Sequence, residues 1–192
     1  MEKIVIEKTA FCLPWTQTLL GTHVNGKVNF MALEWLTRVN YQPAMLGICV
    51  NKGHASNAAI RQTNEFSINI PTVDMVEVTD YCGLVSGDKT DKSKLFEVFY
   101  GQLKSAPLIK ECPLNIECRL VQTVDLPTNT LFIGEIVNIY SEERFLDNGK
   151  PDVSKIRPFL LTMPDNRFWS VGAQVGNAWK DGLKYKERLA GK

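Results

Sequence analysis

Histidine is nearly absent from this sequence: His23 and His54 are the only two among 192 residues. Catalysis built on an imidazole base therefore has little to draw on, and no Ser/His/Asp or Cys/His set suggests itself. Glutamates and aspartates are scattered, with no pair spaced for acid–base work, so no catalytic side chain is nominated. The five cysteines (Cys12, Cys49, Cys82, Cys112, Cys118) are odd in number and contain no C-x-x-C. That spacing argues against a zinc site or a redox dithiol, and no metal is expected. Reduced, mostly buried thiols acting as small hydrophobes are the plainer reading. A formal net charge of +1 supplies no field for nucleic acid. No apolar run is long enough to span a bilayer. The start, MEKIVIEKTAF, carries charges among its apolar residues and lacks a signal-peptide core. A cytoplasmic protein with no membrane or nucleic-acid partner is expected. G-x-G-x-x-G, Walker A and G-x-S-x-G motifs are missing as well. A nucleotide bound here is held without those devices, and an enzyme lacking a catalytic acid–base pair leaves its chemistry to a cofactor.

What is abundant is strand signal. The chain is 44% hydrophobic and 22% charged, which suits one domain over residues 1–192. "FSINI" (66–70) alternates and stops at Pro71. "LNIECRL" alternates more cleanly: Leu114, Ile116, Cys118 and Leu120 face one way, and Asn115, Glu117 and Arg119 the other, as in a half-buried antiparallel strand. "AMLGICV" (44–50) reads as a buried strand, and "TLFIGEIVNIY" (130–140) as a long one with a bulge or bend at Gly134. "IVI" (4–6) reads as a further strand and "DNGK" (147–150) as a tight turn. Helices are few. "SNAAIRQTNE" starts with Ser56 as N-cap; "TDKSKLFEVFYG" starts with Thr90 or Asp91 as cap and ends at Gly101; the basic C-terminus reads as a helical tail. Many strands with inserted helices predict a closed or nearly closed antiparallel barrel, mainly β, rather than a doubly wound parallel sheet.

Three stretches can carry chemistry. "TDYCGLVSGDKTDKSKLF" (79–96) places a small-residue turn, Ser86-Gly87, before Lys89, Lys92 and Lys94 at the mouth of an expected helix. Small residues, a helix start and cations together suit a phosphate; a solvated lysine cluster on a capped helix is the plainer alternative. "NFMALEWLTRVNYQPAMLGICVNKGHAS" (29–56) suits a flat ligand, with backbone from Glu34 to Thr37 along a ring and Asn51, Lys52 and Ser56 at its polar tail; the alternative is a strand pair with Trp35 in the core. "NRFWSVGAQVG" (166–176) offers Phe168 and Trp169 either as a ligand cover or as barrel-end filling. His54 stands as a further anion donor.

In order along nearly the whole chain, "GKVNFMALEWL", "NYQPAMLGICV", "GHASNAAIRQTNEFSINIP", "TDYCGLVSGDKTDKSKLF" and "FIGEIV" resemble the blocks of the flavin reductase family, in particular its flavoredoxin-like FMN-binding split barrels. Ala32 stands where the family often has threonine, and Ser56 keeps the hydroxyl of another. The resemblance implies an antiparallel Greek-key split β-barrel that binds FMN. Its phosphate would lie near Ser86, Gly87 and Lys92, with Asn29, Asn51, Lys52, His54 and Ser56 as further contacts. Its ring would lie along Glu34, Trp35, Leu36 and Thr37, over Cys49 and Val50, with Trp169 approaching from the C-terminal segment or a second subunit. Backbone N–H groups of Leu36 and Thr37 would serve the pyrimidine edge. The implied activity moves electrons from NAD(P)H or a redox protein through FMN to an acceptor, within a homodimer. An FMN-binding electron carrier without a nicotinamide site and a cofactor-free barrel for another small ligand remain as alternatives.

Overall fold

The computed structural model describes residues 1–10 and 13–190, so the expectation for Cys12 lies outside the described residues. The chain runs through β1 (Trp15–Thr16), β2 (Thr18–Val24), β3 (Lys27–Leu33), β4 (Leu36–Asn40), β5 (Met45–Asn51), α1 (Ala55–Thr63), β6 (Glu65–Ile70), α2 (Val76–Leu84), β7 (Val98–Phe99), β8 (Leu108–Ile109), β9 (Leu114–Asp125), β10 (Asn129–Ser141), β11 (Leu146–Asp147), β12 (Lys150–Pro151), α3 (Val153–Ile156), β13 (Phe159–Thr162), β14 (Arg167–Ser170) and α4 (Asp181–Ala190). Seven strands form the main sheet in the order β3-β2-β6-β9-β10-β5-β4, and every pairing is antiparallel.

The edges of that sheet are β3 and β4, yet only Glu34 and Trp35 separate them in sequence. Three backbone steps reach at most about 11 Å. A flat sheet of seven strands would hold its edges about 29 Å apart, at about 4.8 Å per gap. The sheet therefore curls until its two edges meet at Glu34–Trp35. This is the antiparallel Greek-key split barrel, mainly β with few helices.

Leu20, Ile48, Phe66, Ile68, Cys118 and Phe132 fill the barrel, each fully buried. Full burial of such a side chain contributes about 1.5–3 kcal/mol. Gly134 sits at a register shift between β10 and β9, where a Cβ would stand 2.6 Å from Cζ of Phe66. The expected bulge thus makes room for a core ring. β2 has no solvated face. Leu20 points into the barrel, while Leu19 joins Phe30, Cys82, Phe96 and Ile109 in a second cluster on the other side.

Several local expectations fail for physical reasons. Residues 4–6 form no strand and are exposed. The polar face of β9 is only partly solvated: Arg119 is exposed, but Asn115 and Glu117 are buried beneath the segment 99–112. Glu117 accepts from the Gln102 N–H (3.1 Å), the Leu103 N–H (2.8 Å), the Asn138 amide (2.6 Å) and the Tyr140 hydroxyl (2.7 Å). Burial alone would raise its carboxyl; these four donors outweigh that and hold it below the ordinary value. Asn115 and Glu117 are thus side-chain pins for an overlying strap. The helix expected from Thr90 or Asp91 is absent too. Leu95 and Phe96 pack on the second cluster, and Val98–Phe99 pairs with Leu108–Ile109 as a strand. Asp91 accepts from the Ser93 N–H at 2.9 Å, closing a turn instead. The N-cap of α1 is His54 rather than Ser56, and Asn148 and Gly149, with φ of 48° and 73°, make the expected tight turn between β11 and β12. The tail helix forms as α4.

Candidate functional site

β3, the start of α1 and the end of α2 converge on a cleft of about 210 Å³. Asn29 on β3, Ser56 on α1 and Ser86–Gly87 after α2 all line it. The Asn29 amide donates to the Ser56 hydroxyl at 3.2 Å, and that hydroxyl is within 3.4 Å of the Thr22 hydroxyl. Oδ1 of Asn29 is buried and has no hydrogen-bond partner. A buried polar atom left unmatched is uncommon and points to a missing partner. Gly87 lies against that same amide: a Cβ there would stand 2.7 Å from Cγ of Asn29. The opening turn of α1 has no side-chain cap and no acidic residue; its Asn57 N–H donates to the His54 carbonyl at 2.9 Å, and its Ala55 and Ser56 line the cleft.

Lys92 lines this cleft from behind and differs from its sequence reading. It sits at no helix start, because no helix begins there. Its side chain is buried, and its ammonium donates to the carbonyls of Phe30 (2.8 Å) and Cys82 (2.9 Å). It thereby ties the C-terminal end of α2 to β3. Burial, only partly offset by the nearby Cys82 thiol, lowers its pKa. None of the ion pairs among the described residues involves it. A buried cation without a carboxylate calls for an anion nearby. Lys89 and Lys94 are exposed.

A second cleft of about 280 Å³ adjoins the first and shares Met31, Ala32 and His54 with it. Glu34, Trp35, Cys49, Val50 and Asn51 line it, joined by Leu161 and Met163 from the β13–β14 hairpin. Trp35 is 43% exposed and so is not a core residue. Its carbonyl accepts from the Cys49 N–H at 2.9 Å, which extends the β4–β5 pairing beside the cleft. Burial raises the Glu34 carboxyl, against a hydrogen bond from Gln17. Burial likewise raises the Cys49 thiol. A third hollow of about 200 Å³ meets the others at His54 and is bordered by Lys52. His54 is thus the residue common to all three.

The structure does not bring every sequence candidate to these clefts. Leu36 packs against the barrel core, and its N–H donates to the Glu34 carbonyl at 2.8 Å, so it is not open to a ligand. Thr37 is exposed opposite Gly47 in β4 and lines neither cleft. Lys52 borders only the third hollow and faces Asp125 at 3.9 Å. Trp169 is half-exposed, with its indole N–H donating to the Thr162 hydroxyl at 2.8 Å. Conversely, Met31, Leu161 and Met163 were not singled out, while Ala32, noted only for lacking a hydroxyl, lines both clefts. Met31 shares its strand face with Asn29 by alternation, a signal the sequence did contain. Leu161 and Met163 arrive through long-range pairing and carried none. Among the described residues, no group of three or more His, Cys, Asp or Glu is placed to hold a metal. No helix there is long and apolar enough to cross a membrane.

The geometry is a polar, anion-seeking end continuous with a flatter, more apolar end. The flavin reductase like domain matches residues 11–158. The chain belongs to that family. Within it, the chain is similar to a flavoredoxin from Methanosarcina acetivorans: 56% identity, a TM-score of 0.94, and coverage of 96% of this chain and 100% of that one. It is also similar to the flavoredoxin of Desulfovibrio vulgaris (Miyazaki F), with 28% identity, a TM-score of 0.86, and 95% and 100% coverage. An uncharacterized protein of Archaeoglobus fulgidus is 30% identical over 156 residues, 80% of this chain and 87% of that one.

Proposed function

We propose that the chain is an FMN-binding flavoprotein that moves electrons from NAD(P)H or a redox protein to an acceptor. The observation that carries this reading is the continuity of the two clefts, with the unpartnered amide of Asn29 at the polar end. Those residues fit a phosphomonoester. Turning the Asn29 amide end for end lets Oδ1 accept from Ser56 and points the amide N–H groups into the cleft. The first turn of α1 adds backbone N–H groups. Lys92 adds its charge from behind while its bonds to Phe30 and Cys82 fix the loop that holds Ser86 and Gly87. At the other end, Trp35, Cys49, Val50 and Leu161 offer an apolar seat for the ring, and Glu34 holds a proton at its edge to higher pH than an exposed carboxylate. Bound FMN would supply reversible electron transfer at its ring. Unpaired Cys49, Cys82, Cys112 and Cys118 agree with a reducing, cytoplasmic setting. The molecule works as a homodimer.

A carrier without a nicotinamide site is the second reading, favoured by the 56% identity to a protein named flavoredoxin. Stopped-flow mixing of the FMN-loaded protein with NADH or NADPH separates the two. Rapid bleaching of the flavin band supports the reductase; bleaching by a reduced partner protein alone supports the carrier. A protein that is colourless and takes up no FMN refutes both.

A further inference from the structure

Glu34 is a carboxylic acid in an apolar place. It sits where β3 passes into β4, and the Leu36 N–H donates to its carbonyl at 2.8 Å, which fixes that bend. The residue lines the second cleft beside Leu33, Val50, Leu161 and Met163. Its carboxyl accepts from the Gln17 amide and from its own backbone N–H. Gln17 is held in turn. It is 1% exposed, its amide also donates to the Thr18 carbonyl at 3.2 Å, and its N–H donates to the Phe159 carbonyl at 2.9 Å.

No cation answers that carboxyl. No lysine or arginine lines the cleft, and none of the ion pairs among the described residues includes Glu34. The titratable groups that share the cleft are Cys49 of β5 and His54 ahead of α1; Gln17, Asn129, Leu161 and Met163 bring none from the other sides. Burial raises the Cys49 thiol, so it stays uncharged at neutral pH. His54 is exposed, at the N-cap of α1. Burial also raises the Glu34 carboxyl and moves its titration toward neutral pH. A buried carboxyl met only by neutral donors responds strongly to a charge that appears beside it.

We propose that Glu34 is the proton-exchange group of this cleft: its carboxyl takes one proton from solvent when a flavin ring seated there gains two electrons, and returns it when the ring gives them up. The inference rests on the FMN reading above. A hydride from NAD(P)H brings the ring two electrons and one proton, so one negative charge is added. Two electrons from a redox protein with one proton from water give the same sum. The proton taken by Glu34 turns its carboxylate into the neutral acid and cancels the added charge. Gln17 is the positioning residue that aims the carboxyl.

The test compares FMN-loaded wild type with Glu34→Gln, which keeps the shape and removes the proton site. Spectroelectrochemical titration follows the flavin midpoint potential from acid to alkaline pH. For a two-electron couple, a tenfold change in affinity is about 30 mV. Above the pH at which Glu34 ionises beside the oxidised ring, the wild-type potential should therefore fall about 30 mV per pH unit more steeply than the variant's. The extra slope should end where the carboxyl ionises beside the reduced ring as well, and the two curves should run parallel at acid pH. A residue that only packs the cleft would offset the curve equally at every pH. A second readout needs no variant and decides alone should Glu34→Gln fail to fold. With carbon-13 in the glutamate carboxyls, the wild-type Glu34 titration should shift at least tenfold in proton affinity when the bound flavin is reduced. Curves that stay parallel throughout, or a Glu34 titration that ignores the redox state, overturn the proposal and leave the FMN reading standing. A chain that takes up no FMN overturns both.

Discussion

Gly87→Ala is a one-carbon test of the polar cleft. Gly87 does not adopt a left-handed φ, so alanine meets no backbone penalty there. The conflict is with a neighbour: the new Cβ would stand 2.7 Å from Cγ of Asn29 and closer still to Oδ1. Asn29 must swing away, giving up its 3.2 Å bond to Ser56 and its aim into the cleft. A charge-assisted hydrogen bond of the kind proposed to a phosphate is worth about 1.5–3 kcal/mol. At 1.4 kcal/mol per decade, FMN affinity should fall about 10- to 150-fold. Riboflavin shares the ring and ribityl chain but not the phosphate, so its affinity should barely change. Quenching of flavin fluorescence on titration measures both, and a urea curve checks that the fold survives. Equal losses for FMN and riboflavin, or no loss for either, would refute the phosphate assignment.

Three further outcomes are expected. Lys92→Met leaves the buried carbonyls of Phe30 and Cys82 without their donor; unfolding in urea should show a loss of about 1–3 kcal/mol, and the FMN-over-riboflavin preference should shrink. Glu117 titrates below its ordinary value in the folded chain, so its contribution is complete above the unfolded carboxyl pKa and drains away as pH falls through the folded one. The urea midpoint of wild type should therefore fall steeply on acidification below about pH 4.3, and Glu117→Gln should begin lower and flatten that slope. Cys49 is half-buried with its thiol raised, so iodoacetamide should label it slowly at neutral pH, faster at alkaline pH, and hardly at all with FMN bound, as read by peptide mass spectrometry.

The barrel was legible because strand alternation is a local signal. Phe66, Ile68, Cys118 and Phe132 carry their burial in their spacing. The strap over β9 was not legible. Glu117 and Asn115 look like solvent residues until residues 101–109 fold back on them, and that return is a long-range event. The same limit explains the missing helix after Asp91, where local capping and periodicity lost to strand pairing between Val98–Phe99 and Leu108–Ile109. At the site, Asn29, Ser56, Ser86, Gly87 and Lys92 were gathered by motif order and do share one cleft. What motif order could not give was direction. Lys92 turned inward to two carbonyls, Leu36 spent its N–H on Glu34, and Leu161 and Met163 came from the far end of the chain.

The central claim is that Asn29, Ser56 and the Ser86–Gly87 turn grip a phosphate while Trp35 and Cys49 seat a ring. A crystal structure of the chain grown with saturating FMN tests it most directly. The phosphate should lie within hydrogen-bonding distance of the Asn29 and Ser56 side chains, with the ring between Trp35 and Met163. Flavin density seated elsewhere on the barrel, or reversed so that the ring meets Asn29, would contradict the account.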